Sequence, residues 1–343
     1  MRMTRGWAAD EPGSVIRPWD FARHDVGDRD VAVRIRYCGI CGSDLDAVRA
    51  GDLAAFPLVP GHEIVGEVAE VGTHVSRFAV GDQVAVGNIV GSCGRCAACR
   101  AGRENWCAQV RLTYGGSDGF GNTTQGGYSS EYVLDEHFVY RLPEGLDPAG
   151  VAPLMCAGVT TYSPLRRSGV GKGTVVGVVG LGGLGHVGVK LARALGAEVS
   201  VFTTSPDKAE TALSLGAEEA IVSTDASRMA AQAGRFDFIL DTVGASHELG
   251  PYFDTLNIDG TLCLVGIPPE ELRVDPMNLI PGAKRLAGSG SGGVPETQEM
   301  LDLCAEHGIT ADIETVSPDR LDEAFDRLAR NDVRHRFVLD LTE

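Results

Sequence analysis

The stretch TVVGVVGLGGLGHVGVKLARALG, residues 174 to 196, constrains this chain more than any other. An apolar run of strand type gives way to glycines at Gly180, and the glycines give way to an apolar pattern of helical period. Gly180-x-Gly182-x-x-Gly185 after a strand and at the opening of a helix is the fingerprint of a dinucleotide-binding turn. The first glycine makes the turn, the second lets the backbone approach a pyrophosphate, and the third packs helix on sheet. The helix N-terminus completes the anion site. Gly180, Gly182, Gly183, Leu184 and Gly185 are the candidate pyrophosphate contacts. A glycine-rich turn that holds no ligand is the plainer alternative.

The chain changes character on either side of this turn. Residues 1 to about 155 hold short apolar runs such as VAVRIRY, HEIVGEVAEVG and DQVAVGNIV, divided by Gly, Pro and Asp, as in a β-rich, barrel-like domain. From about 157 to 293 apolar runs such as EVSVFT and FDFILD alternate with helical stretches, which predicts a parallel sheet covered on both faces. From 294 on, PETQEMLDLCAEHG and DRLDEAFDRLARND read as helices and RFVLDL as a closing strand.

The strand after the dinucleotide turn bears on the choice of cofactor. NAD sites carry an acid about 20 residues after the first glycine, to bind the ribose 2′-hydroxyl. Here Thr203, Thr204 and Ser205 hold that place, with Lys208 just beyond. Hydroxyls and a cation suit a 2′-phosphate, so NADP(H) is expected. Asp207 is the nearby acid, and a place in the first turn of a helix explains it.

The segment GSCGRCAACRAGRENWC sets Cys93, Cys96, Cys99 and Cys107 within fifteen residues. Four thiolates on one loop can surround a single ion tetrahedrally, and the spacing fits neither ferredoxin pattern, so a structural zinc site is expected. Such a site has no open coordination position. A second set is scattered: Cys41 in CGICGSDLD, His62 beside Glu63 in PGHE, and Cys156 in APLMCAG. Three protein ligands with an open fourth position are what a catalytic zinc takes. Each residue alone has a plainer reading, a core thiol or a loop histidine, and the pair Cys38 and Cys41 could equally be a redox couple or half of a zinc knuckle.

Taken together, CGICGSD, PGHE, the four-cysteine segment, APLMCAG, VGLGGLGH, TTSPDK, ILDTVGA and GGVPETQEMLDLCAEHGITADIE resemble the zinc-dependent medium-chain alcohol dehydrogenases, in the branch of cinnamyl alcohol dehydrogenases and bacterial aldehyde reductases. The resemblance runs through nearly the whole chain in motif order. It implies a GroES-like β-barrel catalytic domain over 1–156, a Rossmann doubly wound parallel-sheet domain over 157–293, and a return to the catalytic domain over 294–343. It also implies a homodimer, two zinc ions per subunit, and reversible NADP-linked reduction of an aldehyde to a primary alcohol.

Carried over by position, Cys41, His62 and Cys156 would be the catalytic zinc ligands, and Glu63 would stand behind them, able to approach the metal. Asp44 would orient His62 by hydrogen bond. Ser43 would hand on the proton. The family's relay then ends on a histidine where this chain has Asp46, which could instead be a solvated acid at a helix start. Arg336 would lie near the cofactor pyrophosphate, or be a surface arginine at a strand end. Thr242, Val265 and Ile267 would line the nicotinamide side, and Leu112 and Gly290 stand where relatives bring aromatic rings to the substrate. The stretch LTYGGSDGFGNTTQGG would shape that pocket. A second reading, reduction of an activated C=C or C=N bond, is compatible with the change at Asp46, but the full set of Cys41, His62, Cys156 and Ser43 favours carbonyl chemistry. A third reading, a cofactor-binding protein without catalysis, needs no open metal site.

The formal net charge of −17 repels nucleic acid and anionic membranes, so neither is expected as a partner. No apolar run reaches the length of a membrane span, and MRMTRGWAADEPGS lacks the apolar core of a secretory signal. A cytoplasmic enzyme acting on a small-molecule aldehyde or alcohol is the resulting expectation.

Overall fold

The computed structural model describes residues 1–50, 55–119 and 121–342, so Phe120 of the glycine-rich stretch lies outside the described residues. The chain divides into two compact units, 1–156 with 292–343, and 157–291.

The first unit is built on a seven-stranded, mostly antiparallel sheet. Its central strand Asp30–Ile40 pairs with Ile64–Val71 on one side and with Arg336–Asp340 on the other, in the register Phe337 opposite Ile40 and Leu339 opposite Cys38. The inward positions Val31, Val33, Ile35, Val65, Val68 and Phe337 are fully or almost fully buried. The closing strand therefore brings the C-terminal segment beside the segment that carries Cys41. A further strand, Ile313–Val316, joins this sheet by parallel pairing with Arg336–Asp340. It was not expected from the sequence, since it is short and two of its four residues are Glu314 and Thr315.

The second unit is a six-stranded parallel sheet in the order Glu219–Val222, Glu198–Thr203, Val175–Val179, Phe236–Asp241, Leu256–Leu264, Arg285–Gly288. The strand order reverses between Val175–Val179 and Phe236–Asp241, and open sheets of this kind bind ligands at the carboxyl ends of strands beside such a reversal. Phe202 and Phe236 pack in its core with ring centroids 5.1 Å apart. Among the described residues, no helix is long and apolar enough to cross a membrane.

Candidate active site

Three segments of the first unit converge on one point. Cys41 follows the central strand, His62 and Glu63 follow the turn at Gly61, and Cys156 precedes the helix Ala157–Arg167. One ligand atom from each of Cys41, His62, Glu63 and Cys156 lies within 4.8 Å of the others. The two thiols are 4.0 Å apart. The Cys41 thiol is drawn well below its ordinary pKa, first by the hydrogen bond with Cys156 and then by His62 and Arg336, and the same contact raises Cys156.

Asp44 organises this cluster. It is fully buried and receives four hydrogen bonds: from the Cys41 N–H at 2.9 Å, the Gly61 N–H at 3.0 Å, His62 Nδ1 at 3.0 Å and the Tyr128 hydroxyl at 3.1 Å. A carboxylate on Nδ1 fixes that nitrogen as the donor and leaves the Nε2 lone pair for a metal. Glu63 is also fully buried. Its Oε1 accepts from Arg336, itself 4% exposed, while Oε2 has no hydrogen-bond partner. A Cβ at residue 39 would come within 1.8 Å of Oε2, so glycine there makes room for the carboxylate. Burial pushes the Glu63 carboxyl up to about 8 against the pull of Arg336. Two thiols, one imidazole and an orphaned buried carboxylate oxygen form a set that a zinc ion fits.

The four-cysteine lobe is local. Sγ–Sγ separations are 3.9 Å for Cys93 and Cys99 and 3.5 Å for Cys96 and Cys99. Tetrahedral Zn–S bonds of about 2.3 Å place sulfurs about 3.8 Å apart, so these spacings fit a shared ion. Backbone N–H groups of Cys93, Cys96, Cys99 and Gln109 point at sulfurs 3.3–3.5 Å away. The N–H groups of Arg95 and Cys96 bring the Cys93 thiol down to about 6. Donors aimed at sulfur favour thiolates, the form a metal binds.

In the second unit, Gly180 has φ +88, and a Cβ on Gly185 would meet the Gly180 carbonyl at 2.1 Å. A Cβ on Gly182 would meet nothing within 4 Å, so the backbone there is open to a ligand. The turn leads straight into the helix Gly185–Ala194, and His186 Nδ1 lies 3.0 Å from the Gly182 carbonyl.

Residues 27–144 match the model of the alcohol dehydrogenase GroES-like domain, and residues 183–306 match that of the zinc-binding dehydrogenase. A probable mannitol dehydrogenase of Fragaria ananassa is 52% identical over 98% of this chain and 94% of its own length. The chain belongs to the zinc-dependent medium-chain alcohol dehydrogenases. A cinnamyl alcohol dehydrogenase structure from Sorghum bicolor superposes with TM-score 0.96 at 45% identity, covering 99% of this chain and 98% of the other. A cinnamyl alcohol dehydrogenase of Helicobacter pylori, solved with NADP(H), does so with TM-score 0.93 at 39% identity, covering 99% of both chains. This dehydrogenase is an NAD(P)-dependent zinc enzyme that interconverts an aldehyde and its alcohol.

Two placements bear on the sequence reading. Arg336 is buried against Glu63, which corrects its reading as a surface arginine at a strand end. A buried guanidinium needs a carboxylate, and Glu63 supplies it. Thr203 is buried, and its hydroxyl accepts from the Ser205 N–H at 3.2 Å, so it shapes the turn and does not point outward. Thr204 and Lys208 are exposed and Ser205 is half-buried. Ser43 is exposed, with Oγ 3.8 Å from Cys41 Sγ, and Asp46 is exposed on the same helix, Gly42–Ala50. Thr242 donates its hydroxyl to the Val179 carbonyl at 2.8 Å, Val265 is buried and Ile267 is 89% exposed. Cys38 is wholly buried and its thiol pKa is raised by desolvation, which leaves Cys41 as the member of that pair in the metal cluster.

Tyr114 was not singled out from the sequence. Its ring centroid lies 5.7 Å from that of His62, and its phenol pKa is raised, first by burial and then by Asp44 and Cys41. It brings one aromatic ring beside the candidate metal cluster. The sequence places the stretch LTYGGSDGFGNTTQGG at the pocket but gives no signal that this Tyr lies beside His62.

Proposed function

We propose that this dehydrogenase reduces aldehydes with NADPH, holding one zinc ion at Cys41, His62 and Cys156 and a second at the four-cysteine lobe. The observation that carries the reading is the distributed cluster, with the orphaned Glu63 Oε2 behind it and the exposed Ser43 hydroxyl beside it. When bound, zinc supplies Lewis-acid polarisation of a carbonyl oxygen and the nicotinamide supplies hydride. Asp44 keeps His62 in the tautomer that leaves Nε2 available. Glu63, held by Arg336 through Oε1, keeps its unpartnered Oε2 beside the ligand cluster, from where it would approach the metal as the fourth ligand exchanges. Ser43 Oγ donates a proton to the nascent alcohol oxygen and is reprotonated from solvent, and Asp46 on the next turn of the helix is the acid on that route.

Preference for NADPH rests on Thr204, Ser205 and Lys208 and on the lack of a carboxylate at that strand end. The Helicobacter pylori relative solved with NADP(H) supports it. A homodimer formed through the edge strand Arg285–Gly288 fits the surface. All four residues of that strand are exposed. Leu286 (38% exposed), Ile258 (73%) and Ile280 (69%) are apolar, and the Asp259 N–H to Gly282 carbonyl bond at 2.7 Å brings their segments together. Nine cysteines, all thiols, accord with a cytoplasmic setting.

The test is an initial-rate panel of aliphatic, benzylic and cinnamyl aldehydes with NADPH and with NADH. Turnover with NADPH at least about tenfold better than with NADH is the expected result, since a charge-assisted contact to the 2′-phosphate is worth that much. A panel without carbonyl reduction would refute the reading, and a preference for NADH would refute its cofactor. The relay is tested by pH profiles of Asp46→Ala and Asp46→His; profiles unchanged from wild type would remove Asp46 from it.

A further inference from the structure

The second unit contains a titratable pair that nothing above uses. Asp241 ends the strand Phe236–Asp241, at the reversal of strand order, and is 1% exposed. Its Oδ1 accepts from the Val243 N–H at 3.1 Å and its Oδ2 faces His247 Nε2 at 2.8 Å. The other ring nitrogen, His247 Nδ1, donates to the Ala245 carbonyl at 2.9 Å. A carbonyl can only accept, and so can a carboxylate, so this geometry is filled by an imidazolium that donates from both nitrogens. The ring stands edge-on to Tyr252, with centroids 5.9 Å apart at 83°.

This contact ties the two ends of the 241–247 turn together. The residues inside it lie against the dinucleotide loop. Thr242 is bonded to the Val179 carbonyl through its N–H at 3.1 Å and its hydroxyl at 2.8 Å. A Cβ on Gly180 would come within 3.1 Å of both Thr242 Oγ1 and Val243 Cγ2, and one on Gly266 would meet the Val243 carbonyl at 2.1 Å. Any drift of the 242–244 backbone would therefore move into, or away from, the turn that receives the cofactor.

We propose that Asp241 and His247 form a latch that holds residues 242–244 against the Gly180 turn, making His247 a positioning residue for nicotinamide cofactor binding. The proposal rests on the cofactor reading of the Gly180–Gly185 loop. The groups facing His247 are Asp241, Glu248 of its own segment, Tyr252 of the helix Gly250–Thr255, and, beyond Asp241, Cys263 of the neighbouring strand. Tyr252 is raised by burial, and Cys263 is pushed up to about 11 by burial and Asp241, so both are neutral near pH 7. The remaining neighbours are acids, and the hydrogen bond that His247 donates to Asp241 is the main cause that holds its imidazole above its ordinary pKa. With the folded-state pKa raised, the latch is complete below that value and loses one donor as pH rises through it.

The experiment is a fluorescence titration of NADPH binding to the full-length enzyme, wild type, His247→Phe and His247→Gln, from about pH 6 to about pH 9, across the range in which a raised histidine titrates. Thermal unfolding without cofactor is run alongside. The wild type is expected to lose affinity toward alkaline pH. His247→Phe should bind roughly tenfold more weakly at neutral pH, as the loss of a charge-assisted hydrogen bond gives, and its profile should lack that alkaline fall. His247→Gln keeps one donor toward Asp241 and should lie between them, also without the fall. It decides the matter where the Phe variant does not fold. Variants that bind NADPH within about twofold of wild type and keep its pH profile overturn the latch, twofold being less than any one hydrogen bond is worth. So do variants that lose thermal stability alone. Failure of the wild type to bind NADPH or NADH at all overturns the cofactor reading, and the latch with it.

Discussion

The two cysteine clusters use one element of chemistry in opposite ways. The lobe draws Cys93, Cys96, Cys99 and Cys107 from fifteen consecutive residues, and its sulfurs are oriented by backbone N–H groups of the same loop. The other cluster draws Cys41, His62, Glu63 and Cys156 from three segments, and buried side chains orient it: Asp44, Tyr128 and Arg336. A four-thiolate set leaves no position for a substrate, whereas two thiols and an imidazole do. On the proposed reading the lobe therefore answers for stability and the distributed cluster for chemistry. The comparison also says where each is vulnerable. A local cluster fails by losing a ligand, and a distributed one also by losing the side chains behind it.

The largest expected effect separates the two outright. Cys41→Ser should lower aldehyde reduction by more than about 10³-fold, because Lewis-acid activation is worth several kcal/mol, with little change in thermal midpoint. Cys96→Ser should do the reverse: a large fall in thermal midpoint and soluble yield, with turnover retained by the subunits that stay folded. Initial rates and thermal unfolding of both variants check this, and exchanged phenotypes would break the comparison.

Next is the support behind the distributed cluster. Asp44→Asn should weaken zinc binding there by about 10–100-fold, as loss of a partner to a metal-bound histidine does, while the lobe keeps its ion. Competition with a colorimetric chelator resolves the two sites. Smaller is the effect on the lobe's own anchor. Glu104 is 3% exposed and accepts from the Val294 N–H at 3.0 Å, with His137 Nε2 3.2 Å from its other oxygen. Glu104→Ala leaves that N–H unmatched and should cost about 1–3 kcal/mol in denaturant unfolding, with kcat unaltered. The smallest effect is at Tyr114. Tyr114→Ala should raise KM for cinnamyl and benzylic aldehydes by severalfold, an aromatic contact being worth about 0.5–1.5 kcal/mol, at unchanged zinc content. An equal rise for aliphatic aldehydes would remove Tyr114 from recognition of the ring.

How far each feature was legible in the sequence follows the same division. The lobe and the Gly180 turn were legible because ligand spacing, or strand, glycine and helix in succession, are local properties. The six-stranded parallel sheet was legible from the alternation of apolar runs with helical stretches. The distributed cluster was legible from residue type as a scattered candidate set, and the resemblance gave its members their roles, since no spacing rule joins Cys41 to Cys156. The Arg336 contact with Glu63 spans 273 positions, and a strand-end arginine reads the same whether it faces an anion or a buried acid. Thr203 is similar: a hydroxyl at a strand end gives no sign of bonding back to Ser205. The strand Ile313–Val316 escaped notice because its pairing with the last strand, not its own pattern, makes it a strand.

The central claim is that two zinc sites share one subunit and only the distributed one carries the chemistry. It is tested most directly by counting zinc per subunit in the wild type and in Cys41→Ala, with the NADPH-dependent aldehyde reduction rate measured on the same samples. The account predicts two ions and full activity in the wild type, and one ion and no measurable rate in a variant that remains folded. A wild type that is fully active with one ion, or a variant that keeps its rate with one, would contradict it.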